Sequence, residues 1–232
     1  MILRKKKKLA LFCAAVLGFS VIACFFGVLF LGEKSGAFVF LITVTAALLI
    51  GAAAFEGSKM SVISISLISV MTALSVLGRV IFYPVAFFKP VCAVVILCGM
   101  YLGPVSGMIC GGMSAVISGV FFGYGLWLPF QIAAWGAIGL FAGLLSGLIK
   151  KNRFALYVYG ALSGVVFSAF MDIFTVISFG GGFNFSMYLA SLSAALPITA
   201  VYAVSNVIFL ALLAPPVGRK LSRVLVDKND KI

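Results

Sequence analysis

Apolar residues run almost unbroken from Leu9 to Ala214, and the few charges punctuate them at regular intervals. The gaps suit helices crossing a hydrocarbon core of ~30 Å, which takes roughly 20 residues. Eight hydrophobic segments result: residues 9–31, 37–55, 60–77, 88–102, 105–122, 128–149, 154–179 and 185–214. Each has a stop signal. Gly32-Glu33-Lys34 closes the first, Glu56 to Lys59 the second and Gly78-Arg79 the third. Gly103-Pro104 divides the fourth from the fifth, because proline disfavours helix in the residue before it. Lys150 to Arg153 close the sixth, Gly180 to Gly182 the seventh, and Pro215-Pro216 the eighth, which holds Pro197 inside it.

Composition agrees. The chain is 64% hydrophobic and 9% charged, with a mean hydropathy of +1.27, where a soluble fold carries roughly 25% charged residues. The net charge of +12 comes from basic residues at the ends of apolar runs, so it reads as a topology signal and not as a nucleic-acid surface. With Arg4 to Lys8 inside and eight crossings, 14 of the 17 basic residues fall inside and only Lys34, Arg79 and Lys89 outside. Both termini are then cytoplasmic in a multi-pass protein of the cell membrane. Residues 9–31 are too long for the apolar core of a signal peptide and are expected to remain as a first helix. Five cysteines lie within apolar runs without a CxxC pair and read as buried, inert thiols. Histidine is absent, which removes the usual zinc ligand and the usual general base. No P-loop, GxSxG or HExxH pattern occurs, so the chain brings no P-loop ATPase of its own. No cofactor is implied.

Small residues recur at four-residue spacing. Gly107, Gly111, Ala115 and Gly119 form one ladder, and Gly136, Gly139, Gly143 and Gly147 supply a second small face. Such faces let helix backbones approach closely in lipid, and packing inside the bundle is their expected use. Ser69 and Ala73 form a small pair on the third segment, broadened by Ser61 and Ser66. Packing is the default there too, with docking to another membrane subunit as the alternative.

The unusual residues gather in three loops on the outer side. The first spans residues 79–90, with Arg79, Phe82, Tyr83 and Lys89; the second spans 121–131, with Tyr124, Trp127 and Gln131; the third spans 179–188, with Asn184. Rings with a few donors suit a pocket for a flat or bulky organic ligand. An aromatic belt at the interface explains single rings equally well. Arg79 and Lys89 are basic where basic residues are scarce, and could pair with an anionic ligand group or snorkel to lipid phosphates. Asp172, deep in the seventh segment, is a costly carboxylate in lipid. It would bind substrate or tie helices through Asn206, Gln131 or Arg79. Asn206 and Gln131 are otherwise interhelical hydrogen-bonding groups.

These residues resemble a known family, the substrate-binding S components of energy-coupling factor (ECF) vitamin transporters. The pieces that match are Gly78-Arg79, Phe88-Lys89-Pro90-Val91, Gly103-Pro104 with Gly107, the run from Phe122 through Gln131, the glycines from Gly136 to Gly143, Met171-Asp172 and Ala203-Val204-Ser205-Asn206. The resemblance is nearest to the cobalamin-type branch. It implies an all-α membrane protein: a six-helix bundle at residues 58–226, here preceded by two extra transmembrane helices at residues 1–57 and followed by a cytoplasmic tail at 227–232. It implies capture of a vitamin-type small molecule on the outer side. It also implies a transmembrane coupling subunit and two cytoplasmic ATPases as partners, with inward release when the whole component topples in the bilayer. Small residues on the first core helix dock the coupling subunit in that family, which maps onto Ser69 and Ala73. The family favours alanine at both positions, and Ser69 departs. Tyr124 and Phe130 stand where the nearest relatives have tryptophan and glutamine. The competing readings are a membrane-embedded enzyme acting on lipid or isoprenoid, and a structural membrane protein.

Overall fold

The structure is a computed structural model. It describes residues 61–229 apart from positions 126, 181 and 182, together with the pair 15–16; for residues 225–229 it describes the backbone. The two expected N-terminal helices therefore lie outside the described residues, as does the end of the tail.

Among the described residues the chain is helical throughout, without strands. The helices are α1 (Val62–Ile81), α2 (Val91–Leu102), α3 (Pro104–Phe122), α4 (Leu128–Leu144), α5 (Ser146–Ile149), α6 (Arg153–Gly180), α7 (Phe185–Ala194) and α8 (Leu196–Asn229). Four stretches are long and apolar enough to cross a membrane: α1, α3, α6 and residues Leu196–Val224 of α8. The other helices are shorter.

The core is built around α2. Ten of its residues, Val91 to Met100, are buried. A helix that is apolar all round belongs in an interior. At ~1.5 Å per residue it is about 18 Å long, too short to span the bilayer alone. It packs against α1, α3, α4 and α8. Gly103 separates it from α3 with φ of 102°, a backbone conformation that L side chains rarely adopt. The predicted split at Gly103-Pro104 is therefore present, with Pro104 opening α3.

The two glycine faces meet each other. A methyl group at Gly107 would strike the Gly139 carbonyl, one at Gly139 would strike the Gly107 carbonyl, and one at Gly111 would strike the Trp135 carbonyl. Here α3 and α4 touch backbone to backbone, as the small-residue ladders predict. Gly147 faces open space and takes no part.

Several boundaries differ from expectation. Helix α1 continues past Gly78 to Ile81, which places Arg79 in its last turn, where a cation complements the helix dipole. The sixth segment bends at Leu145 into α4 and α5. The eighth is two helices. Proline at 197 has no N–H and would clash one turn back, so α7 ends and Pro197 sits in the first turn of α8. Pro215-Pro216 do not end α8, which runs on to Asn229. Their missing N–H groups deprive the carbonyls of Ala211 and Leu212, but packing of α8 on α6 and α2 carries the helix through.

Candidate functional site

Contacts from Arg79 to Ser118 and Gln131, from Lys89 to Phe122 and from Phe130 to Phe174 gather the C-terminal parts of α1, α3 and α6 and the N-termini of α2 and α4 at one end of the bundle. Arg79 is the centre of this end. Its Nη1 donates to Ser118 Oγ at 2.5 Å and makes a longer contact of 3.5 Å to Gln131 Oε1. The guanidinium lies 4.6 Å from the Phe122 ring centroid and 5.1 Å from that of Trp135. Such placement over aromatic faces is favourable, and more so away from water. Ser118 and Phe122 are one turn apart on α3, and Gln131 and Trp135 one turn apart on α4. Each helix thus presents one polar group and one ring to the same cation. The close glycine contact of α3 with α4 brings the two pairs together.

Lys89 is the second cation here. Its Nζ lies 5.9 Å from the Tyr83 ring and 5.8 Å from the Phe122 ring. Burial and the neighbouring Arg79 charge push its ammonium below the usual lysine range. Its backbone is clamped: the Lys89 N–H donates to Ser205 Oγ at 3.0 Å, and the Ser205 hydroxyl donates back to the Lys89 carbonyl at 3.2 Å. Among the described residues neither cation pairs with a carboxylate. Asp172 is the one described acidic side chain, and it is engaged elsewhere.

Rings extend the site inward. Trp135 stacks on Phe167 at 5.5 Å, with 10° between the planes. Phe167 meets Tyr202 edge-on at 5.3 Å, and Tyr202 meets Phe87 at 5.7 Å. Phe87 has φ of 62°, unusual for a bulky residue. Holding a non-glycine residue there costs roughly 1–3 kcal/mol, and the Tyr202 contact is one interaction that offsets it.

The structure brings Arg79, Tyr83, Lys89 and Gln131 together and places the other candidates elsewhere. Phe82 packs inward against Phe88 and Phe209. Tyr124 folds back on its own helix, its hydroxyl donating to the Val116 carbonyl at 3.2 Å and its ring covering Gly119. Trp127 lies against Gly125 and is 37% exposed. Asn184 caps α7 by accepting from the Met187 N–H at 3.0 Å. Asn206 donates to the Gly160 carbonyl at 3.0 Å and so ties α8 to α6. Asp172 accepts from Ser191 at 2.9 Å, linking α6 to α7, and its Oδ2 has no partner. The expected ties from Asp172 to Asn206, Gln131 or Arg79 are not made. Ser69 and Ala73 face outward from α1, and the Ser69 hydroxyl is spent on the Ile65 carbonyl at 3.1 Å.

Ser118, Phe122, Trp135 and Ser205 are the members of the site that sequence reasoning did not select. The signal for three of them was the helical spacing of 118 with 122 and of 131 with 135. Ser205 carried none, because its partner is a backbone 116 residues away in sequence.

An apolar all-helical bundle of this kind is the architecture of a helical membrane protein. The family described as "ECF-type riboflavin transporter, S component" matches residues 59–223. The chain belongs to this family. A UPF0397 protein of Aliivibrio fischeri strain MJ11 is 33% identical over 97 residues, which cover 36% of this chain and 52% of that protein. One from Vibrio atlanticus strain LGP32 is 34% identical over 98 residues, 36% of this chain and 53% of its own. The chain thus spans about half the length of the curated relatives it matches. No solved structure matches.

Proposed function

We propose that this protein is the non-catalytic substrate-capture subunit of an ECF-type importer, and that it binds a flavin-type vitamin at the Arg79 end. The observation that carries this reading is the pair Arg79 and Lys89. Both lie within 6 Å of the Phe122 ring, and neither has a carboxylate partner among the described residues. Free N–H donors beside ring faces suit a flat heteroaromatic ligand with carbonyl acceptors: the rings supply stacking area and the cations fix orientation. The family description, which names riboflavin, supports a flavin over the cobalamin-type ligand that the sequence resemblance favoured.

The site faces outward in this reading. Among the described residues Arg79 and Lys89 are the basic residues at its end, whereas Lys150, Lys151, Arg153, Arg219, Lys220 and Arg223 occupy the other, as expected for a cytoplasmic face. A coupling subunit and two ATPases would drive release inward. The outward-facing surface of α1 around Ser69 and Ala73 is where the coupling subunit would dock, because small residues permit close helix approach. Residues 58–226 would form the substrate-binding core.

Riboflavin fluorescence titrated with the purified full chain tests the reading. Saturable quenching is expected, weakened about 10- to 100-fold in Arg79→Gln, the loss typical of a hydrogen bond to a charged group. Cobalamin should not compete. Absence of saturable quenching, or equal affinity in the variant, would overturn the assignment.

A further inference from the structure

At the opposite end, α2, α5, α6 and α8 enclose an open cavity of about 650 Å³. Four cations line it, Lys150, Arg153, Arg219 and Arg223, and among the described side chains no carboxylate lines it. The positive-inside rule accounts for basic residues at this end, but not for four of them converging on one concave surface.

Further features define the charge and shape of the cavity. Helix α6 starts here and its dipole adds to the positive field, while Asn152 Oδ1 accepts from the Phe154 and Ala155 N–H groups. Arg153 opens that helix, a position where acidic residues are the stabilising choice, and it reinforces the positive field. Lys150 Nζ sits 5.0 Å from the Tyr101 ring centroid, which holds the cation at the cavity wall. The wall is also shaped. A methyl group at Gly218 would strike the Tyr101 hydroxyl, so glycine is what lets α8 close against α2 here. Arg219 is held at the rim, its Nε donating to the Pro215 carbonyl at 3.2 Å.

We propose that this cavity binds a phosphate-bearing anion, presented by the headgroup of an anionic membrane lipid. Basic pockets between transmembrane helices on the cytoplasmic side suit such headgroups, and exposed apolar residues near this end, Leu148 on α5 and Leu212 on α8, would receive the acyl chains. The site is independent of the ligand bound at the Arg79 end.

The test uses the purified full chain in neutral detergent. Thermal stability is followed while short-chain phosphatidylglycerol, short-chain phosphatidylcholine or inorganic phosphate is added, and native mass spectrometry counts retained lipid. Phosphatidylglycerol should stabilise and be retained, and phosphatidylcholine should not. The double variant Lys150→Gln/Arg219→Gln should bind it about 25-fold more weakly, roughly fivefold per charge removed. The charge-matched control Lys151→Gln/Lys220→Gln, outside the cavity, should behave as the parent chain. Stabilisation by inorganic phosphate as strong as by the lipid would support the anion site but assign it to a soluble phosphate. Equal loss in both double variants, or stabilisation by none of the three additives, would overturn the proposal.

Discussion

At one end of the bundle Arg79 lies over the rings of Phe122 and Trp135 with Ser118 and Gln131 on its Nη1, and Ser205 clamps the backbone of Lys89. At the other end Arg153, Arg219 and Arg223 stand exposed around an open cavity. The charge has the same sign at both ends and is handled differently. A half-buried cation must be given partners or rings, because desolvation is costly. That cage also fixes its direction, which is what recognition of one flat ligand requires. Exposed cations keep their water and their rotamer freedom. They offer field strength with little geometry, which suits a headgroup drawn from the surrounding lipid.

The largest expected effect would break the comparison altogether. Gly107→Leu forces side-chain atoms into the Gly139 carbonyl and separates α3 from α4. Overpacking costs typically 1–3 kcal/mol where side chains can yield, and here the obstacle is backbone. Loss of the monodisperse peak in size-exclusion chromatography is the expected readout, and a well-behaved, ligand-binding variant would contradict the crossing described.

Arg79→Lys comes next and sharpens the contrast. A lysine keeps the charge but loses the planar guanidinium that lies over Phe122 and Trp135 while its Nη1 reaches Ser118 and Gln131. Riboflavin affinity should fall about tenfold, roughly one charge-assisted hydrogen bond. The same exchange at Arg223, on the open end, should leave riboflavin affinity unchanged in the same titration.

Ser205→Ala removes both bonds to the Lys89 backbone while leaving every group around Arg79 in place. The Lys89 carbonyl and N–H lose a buried partner, at a cost of about 1–3 kcal/mol. A lower unfolding temperature with a several-fold weaker affinity is expected. Unchanged affinity would show that the Lys89 loop is not part of the site.

The smallest effect concerns pH. The Lys89 ammonium titrates below the ordinary lysine range because burial and Arg79 disfavour its charge. An acceptor ligand needs the charged form, so affinity should be flat near neutrality and decline as pH rises through that lowered value. Lys89→Arg should bind with similar strength at neutral pH and lose the alkaline decline, since arginine does not titrate there. The decline would be read by repeating the quenching titration across the alkaline range, compared with free riboflavin at each pH.

Much of the bundle was legible in one dimension. The long apolar runs, the break at Gly103 and the use of the two glycine ladders for close helix packing follow from local rules about hydropathy, backbone conformation and side-chain size. So does the uneven distribution of Arg and Lys between the two ends. That the ladders meet each other does not. Proline was misleading in both directions. Pro197 opens a helix and Pro215-Pro216 lie within one, because its effect depends on whether the carbonyl one turn earlier is already free and on what packs alongside.

The chain order alone determined that this protein is a helical membrane bundle with its odd polar groups near one end. Those properties come from hydropathy and charge summed over short windows. Tertiary structure decided which of those groups converge. It drew Arg79, Lys89, Tyr83 and Gln131 around Phe122, and left Asp172, Asn184 and Asn206 to hold helices together. It also gathered Lys150, Arg153, Arg219 and Arg223, from two separate stretches of chain, around one cavity. Convergence depends on helix rotation and on how closely backbones approach. Those are set by contacts between residues far apart in sequence, such as Gly107 with Gly139 and Lys89 with Ser205.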